Sequence, residues 1–278
     1  MLDFSQLYEV VIFSVGDTKA GTKMGKLQLK NLEDGSLLNC ILWEETLNRL
    51  DSKIFRTGNQ VKILSGSYNE KYNNCLIANL ELINEAKIGL SKDEADDIFG
   101  KILDYANRIS DENLKKFVTG LLFEHEEKFK TAPAAKLMHH NYLGGLVEHT
   151  FECLQIADCL IDRFYKKVSR DDIFAACILH DFGKIFEYKI DTESGLIDYD
   201  EDFPKEWITH SQWGFSTCMG AGFKKVAKMI AAHHGRAEWG AIVDLNERDL
   251  DPELYLLHHI DDLSAKFGKT AVSDLGMK

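Results

Sequence analysis

What the chain lacks narrows it first. No apolar run comes near the roughly 18 residues that a membrane helix requires, so no membrane partner is expected. The opening stretch "MLDFSQLYEV" has neither a basic segment nor an apolar core, and we expect no secretory leader. Six cysteines, Cys40, Cys75, Cys153, Cys159, Cys177 and Cys218, are scattered without a C-x-x-C pair. That pattern argues against a thiolate zinc site and for reduced thiols in a cytoplasmic protein. Proline occurs only three times, at Pro133, Pro204 and Pro252. All three fall in or after residue 133, in a stretch that otherwise reads as helix. Neither an internal repeat nor a low-complexity segment is found, which sets aside solenoids and disordered tails.

Positive charge is also scarce. The net charge of −12 at first disfavours a polyanionic partner. The deficit is uneven, however. Residues 1–85 hold 9 Lys and Arg against 11 Asp and Glu, whereas residues 137–278 hold 15 against 24. Divalent cations bound in the acidic half would offset part of it and dominate the local field felt by an anionic substrate. A phosphate-bearing substrate stays compatible with this composition.

What is present falls into two regimes, and the expected class is α+β with two domains. Up to residue 85 the chain reads as short strands: "YEVVIFSVGD", "GKLQLKNLEDG", "SLLNCILWEE", "NQVKILSGSYN" and "NCLIANLELI". They are rich in branched and aromatic residues and are separated by Gly, Asn and Asp turns. Five strands in so short a span suit a small closed barrel of the oligonucleotide-binding (OB) type, or else a purely structural β-domain. From Ser91 the pattern is helical. In "SKDEADDIFGKILDYANRI" an N-cap serine and first-turn acids precede Ile98, Ile102, Tyr105 and Ile109 at helical spacing. We divide the chain into a barrel over 1–88, a helical linker over 89–136 and an all-helical bundle over 137–278. One insert, "KIDTESGLIDYDEDFPKEW", interrupts the helices as a hairpin or loop.

Ligand-type side chains recur on the apolar helix faces of the bundle. His149 starts a stripe through Cys153, Ile156 and Leu160; His180 follows Ile173 and Cys177; Asp181 follows Phe174 and Ile178. His233 and His234 end a face of Phe223, Val226, Ala227 and Ile230, and Asp261 follows Leu254, Leu257 and His258. Burying an unpaired Asp or His is expensive. One such residue is ordinarily a hydrogen-bonded core group, but several helices aiming one each at a common core point to a metal centre. Imidazole with carboxylate and no thiolate suits Mn²⁺ first, then Fe²⁺, Co²⁺, Ni²⁺ or Zn²⁺.

The series His149, His180–Asp181, His210, His233–His234 and Asp261 resembles the HD superfamily of metal-dependent phosphohydrolases in its two-metal form. "HHNYLGGLVEHT", "LHDFGK", "HHGRAEWGA" and "LLHHIDDLSAK", following an OB-like barrel, are similar to the YhaM-type 3′→5′ exoribonucleases over nearly the whole chain. The resemblance implies two divalent cations. His149, His180, Asp181 and Asp261 would hold the first; Asp181, as a bridge, would hold the second with His210, His233 and His234. Thr209 precedes His210 where the family usually has Gly. The resemblance also implies a homo-oligomer, with a hexamer as one form.

Two cations lower the pKa of a water between them and neutralise charge on a phosphoryl oxygen. The expected reaction is hydrolysis of the last phosphodiester of an RNA 3′ end, with single-stranded DNA as an alternative strand, releasing nucleoside 5′-monophosphates. Asp181 is the first catalytic candidate. Lys184 is the second, as a point charge for a phosphate oxygen or else as a solvated helix-end lysine. His139 and His140 are candidates for substrate contact, packing or capping. Gly183 is expected to end its helix in a left-handed C-cap. On the barrel, Lys19, Lys23 and Lys26, placed in the loop after the first strand, are candidates for gripping a single strand, with Trp43, Tyr68 and Tyr72 as stacking surfaces. Two other readings keep part of this pattern: an HD phosphodiesterase for nucleotides or cyclic dinucleotides, and a nucleic-acid-binding protein with an inactive HD domain.

Overall fold

The computed structural model describes residues 5–86, 88–136, 140–163, 168–192, 195–246 and 250–267. The chain separates into two compact units. One takes in the described residues up to Ile88 with those of Asp191–Leu196, and the other runs over Gly89–Ile190 and from Ile197 onward.

The first unit is a closed five-stranded barrel. Its strands are β1 (Leu7–Asp17), β2 (Lys23–Asn31), β3 (Leu37–Trp43), β4 (Gln60–Asn69) and β5 (Asn74–Asn84), ordered β1-β2-β3-β5-β4. β1 closes the ring by pairing with β4, and β3 runs parallel to β5. This is the OB-type strand order expected from the sequence. Alternation selects the interior: Tyr8 and Val10, Leu27 and Leu29, Cys40 and Leu42, Val61 and Ile63, Cys75 and Ile77 point inward and are buried. β4 and β5 approach closely at Gly66, where a Cβ would lie 2.6 Å from the Leu76 carbonyl oxygen. Two details differ from the sequence reading. Helix α1 (Glu44–Arg49) and a 3-10 turn over Ser52–Phe55 join β3 to β4 where no helix was expected. Lys23 opens β2 and Lys26 lies within it, so only Lys19 belongs to the connecting turn.

The second unit contains α2 (Lys92–Asn107), α3 (Glu112–Glu124), α4 (Glu126–Thr131), α5 (Gly145–Arg163), α6 (Arg170–Leu179), α7 (Lys184–Glu187), α8 (His210–Gly220), α9 (Lys224–Ala232) and α10 (Pro252–Phe267). The insert forms a two-stranded hairpin of β6 (Tyr188–Ile190) and β7 (Ile197–Tyr199). α2 begins as its sequence dictates, with Ser91 and Glu94 forming a reciprocal capping box. α2 to α4 do not form a separate linker, because their apolar faces are spent inside this unit. Phe129 of α4 stacks on Phe182 at 5.3 Å, and Phe182 stacks in turn on Trp213 of α8 at 5.8 Å. Truncating a fully buried Phe of this kind costs about 3–5 kcal/mol. Arg108, beyond the end of α2, adds a two-pronged ion pair to Asp158 of α5 at 2.9 and 2.6 Å. α5 is the central helix, packed against α2, α4, α6 and α10.

Candidate metal centre

Five of the seven ligand-type residues sit at the start or just past the end of a helix, His149 is in the second turn of one, and Asp261 is in the middle of another. α5 carries His149 in its second turn, and α6 ends at His180, with Asp181 in the turn that follows. α8 opens with His210, α9 ends at His233, with His234 next, and α10 carries Asp261. His149 and His180 are fully buried, and Asp181 and His233 nearly so.

The side chains meet in two sets. In the first, His149 Nε2 lies 3.2 Å from His180 Nε2 and 3.2 Å from Asp261 Oδ1. In the second, His210 Nε2 lies 3.2 Å from His234 Nε2, with His233 beside them. Asp181 stands between the sets and faces each with a different oxygen. Its Oδ2 is 3.5 Å from His149 Nε2 and 3.6 Å from His180 Nε2. Its Oδ1 is 3.4 Å from His210 Nε2 and 3.6 Å from His233 Nε2.

The other ring nitrogens fix the tautomers. His180 Nδ1 donates to the Cys177 carbonyl at 2.9 Å, and His233 Nδ1 to the Ile230 carbonyl at 2.6 Å. His210 Nδ1 donates to the Glu187 carboxylate at 2.6 Å. His149 Nδ1 donates to the Ser264 hydroxyl at 2.9 Å, which itself donates to Glu152. In their neutral forms all four rings therefore turn an Nε2 lone pair toward the centre. Two such lone pairs 3.2 Å apart repel unless a cation lies between them. Among the described residues, Asp181 Oδ1 and His233 Nε2 are buried without a hydrogen-bond partner. This donor set fits divalent cations held by nitrogen and oxygen.

Electrostatics agrees. Burial holds the His149 and His210 rings below the ordinary histidine value, and burial next to His233 takes His234 down to about 2. Burial also opposes the charged His180 ring, but Asp181 and Asp261 outweigh it and raise its pKa. Asp181 and Asp261 are held well below the carboxylate range despite burial, Asp181 chiefly by Lys184 and His180, Asp261 by His149 and His180. Cys153 Sγ is 3.8 Å from His149 Nε2 and belongs to the first set, with burial holding its thiol well above the ordinary value.

Other expectations from the sequence need correction. Gly183 is right-handed, with φ −60°, and starts α7 instead of capping α6. A Cβ there would sit 2.7 Å from the His210 carbonyl oxygen, so its smallness lets α8 bring His210 in. Lys184 is not a solvated helix-end lysine. It is buried, with Nζ 2.6 Å from Asp181 Oδ2. His140 is fully buried, with ring nitrogens on Tyr142 and Glu152, as the packing alternative expects. His139 lies outside the described residues. Asp261 faces the site, while its neighbour Asp262 is exposed and 3.9 Å from Lys266.

On the barrel, Trp43, Tyr68 and Tyr72 are exposed, Trp43 at the end of β3 and the tyrosines on the β4–β5 hairpin. Lys23 is exposed and pairs with Asp17 at 2.8 Å, while Lys19 and Lys26 are exposed without entering the core. Sequence reasoning missed Glu187, Ser264, Glu152 and His258, which orient the ligand-type residues. His258 Nδ1 donates to the His233 carbonyl at 2.7 Å. Only the i, i+3 spacings of His149 with Glu152 and Asp261 with Ser264 could have pointed to any of them.

Residues 146–266 match the family model of the HD domain, so the helical unit carries an HD domain. The chain is also similar to the 3′-5′ exoribonuclease YhaM of Geobacillus sp. (strain WCH70). The two are 30% identical over an alignment of 183 positions that covers 62% of this chain and 52% of that protein. The matched part thus spans about half the length of that relative. No solved structure gives a significant match. No helix among the described residues is long and apolar enough to cross a membrane.

Proposed function

We propose that the protein is a metal-dependent 3′→5′ exoribonuclease that shortens single strands to nucleoside 5′-monophosphates. The observation that carries this reading is the division of Asp181, one oxygen toward each set of histidines. A carboxylate so placed suits a bridge between two cations. His149, His180, Asp181 and Asp261 would hold one, and Asp181, His210, His233 and His234 the other, with Mn²⁺ the first choice. Bound there, the cations would supply Lewis acidity that activates water and neutralises developing phosphoryl charge.

The chain's own groups do the rest. The Nδ1 hydrogen bonds hold four imidazoles in one orientation, so little reorganisation is needed when substrate arrives. Lys184 is the cation nearest Asp181, and its ammonium can turn to a non-bridging phosphate oxygen in a region of low dielectric. The barrel supports the choice of a polymeric substrate. OB-type surfaces hold single strands by stacking and backbone charge, and Trp43, Tyr68, Tyr72, Lys19, Lys23 and Lys26 are the candidate contacts. The similarity to YhaM favours RNA over DNA. A homo-oligomer working in the cytoplasm completes the proposal.

The test offers purified protein a labelled oligoribonucleotide, the matching oligodeoxyribonucleotide and a cyclic dinucleotide, with Mn²⁺ or with chelator. Ladder-wise shortening from the RNA 3′ end, stopped by chelator and by Asp181→Ala, is the expected result. Turnover of the cyclic dinucleotide alone overturns the reading. RNA binding with no turnover under any divalent metal points to an inactive HD domain.

A further inference from the structure

His140, Tyr142 and the end of α10 join His149 through a chain of hydrogen bonds that the proposed reaction does not itself require. On α10, Asp261 and Ser264 are one turn apart and take the two nitrogens of one imidazole. Asp261 Oδ1 faces His149 Nε2 at 3.2 Å, and Ser264 Oγ accepts from Nδ1 at 2.9 Å. Ser264 is 2% exposed, so water does not readily replace its hydroxyl. Its proton goes to Glu152 Oε2 at 2.9 Å. The same oxygen accepts from His140 Nε2 at 3.1 Å, and His140 Nδ1 meets the Tyr142 hydroxyl at 2.9 Å. That hydroxyl donates to Glu148 at 2.5 Å. His140 is held in the left-handed backbone region at φ 50°, which a non-glycine residue occupies only when its surroundings impose it.

The polarity of the chain is fixed at its acid end. An ionised Glu152 can only accept, so Ser264 must donate to it and is left to accept from His149. We infer that Ser264 and Glu152 are positioning residues for one of the two cations, locking His149 in the tautomer whose Nε2 faces the centre, with His140 as the buried anchor of the relay. The inference rests on the two-cation reading above. It assigns His140 a task inside the protein, with its ring centroid 5.5 Å from that of His149. It also sets the two sets of histidines apart: His149 is oriented through a hydroxyl relay, whereas His210 is oriented directly by the Glu187 carboxylate at 2.6 Å. Loss of the relay therefore acts on one set and leaves the other intact.

Titration of the metal-free protein with Co²⁺, followed by visible absorption and by bound metal per chain, tests this. Wild type is expected to take up two ions. Ser264→Ala is expected to weaken one binding event by roughly 10–100-fold and leave the other within about twofold. Ser264→Thr, which keeps the hydroxyl, should recover most of the loss, and Glu152→Gln should fall between. The unfolding midpoint of each metal-free variant is measured alongside. Unchanged binding in Ser264→Ala, or equal weakening of both events that Thr does not rescue, overturns the relay. Uptake of fewer than two ions by wild type overturns the two-cation reading itself, and the relay with it.

Discussion

At the scale of single residues, Asp181 and Gly183 show how much one position can decide. Asp181→Ala removes the group that both sets of histidines face. It is expected to abolish uptake of at least one divalent ion and to lower any nuclease activity by more than about a hundredfold. Metal analysis and a nuclease assay read the two effects separately. Gly183→Ala puts a methyl 2.7 Å from the His210 carbonyl oxygen, closer than van der Waals contact allows, so the backbone there must shift. We expect about 1–3 kcal/mol of lost stability from such overpacking, together with weaker metal uptake, measured by urea unfolding and by Co²⁺ titration. The buried histidines set a pH dependence. His149, His210 and His234 have lowered pKa values, chiefly through burial, so the unfolded chain takes up protons there before the folded one does. Stability of the metal-free protein is therefore present above about pH 6.5 and lost as pH falls below it. His180 has the opposite sign, because its raised pKa adds stability on acidification. Three groups against one leave a net loss of stability as pH falls from 7 to 5. Urea midpoints in the presence of chelator, flat or rising over that range, would contradict this assignment.

At the scale of elements, the helix ends aim the chemistry. α8 begins at His210, and its N-terminus is closed by Thr209. The Thr209 hydroxyl accepts from the Gln212 amide at 3.3 Å, and Gln212 Oε1 accepts from the Thr209 amide at 2.9 Å. Threonine here closes the helix N-terminus as a capping residue. Thr209→Ala should cost about 1 kcal/mol and loosen His210, while Thr209→Gly should cost only a few tenths, by chemical denaturation. Most of these elements were legible beforehand. The five strands follow runs of branched residues, and the Ser91 cap with first-turn acids marks the start of α2. α1 was not legible, because six residues of "EETLNR" after a strand carry no apolar stripe to set against the strand pattern. Gly183 was misread for a related reason. Glycine after a helix usually supplies left-handed backbone, and only the position of α8 shows that its missing side chain is what matters.

At the scale of the whole molecule, a barrel of OB-type order and an HD domain lie in one chain. If the barrel grips a strand, Tyr68→Ala with Tyr72→Ala weakens binding of a long oligoribonucleotide by tenfold or more and of a dinucleotide hardly at all. Fluorescence anisotropy of the two ligands measures the difference, and equal effects on both would remove the barrel from substrate binding. The two structural regimes, the barrel and the placing of His149, His180, Asp181, His233, His234 and Asp261 on apolar helix faces were legible in the sequence alone, whereas His210 entered only through the resemblance. Periodicity reports which side of an element is buried, and a buried His or Asp must have a partner. Which oxygen of Asp181 faces which set was decided only by tertiary structure. So were the burial of Lys184 against Asp181 and the withdrawal of His140 into the core. The physical reason is that these depend on distances between helices far apart in the chain, such as the 115 residues separating His149 from Ser264. Spacing along one helix can place a side chain on a face, but only the packing of five helices around one point decides what it meets there.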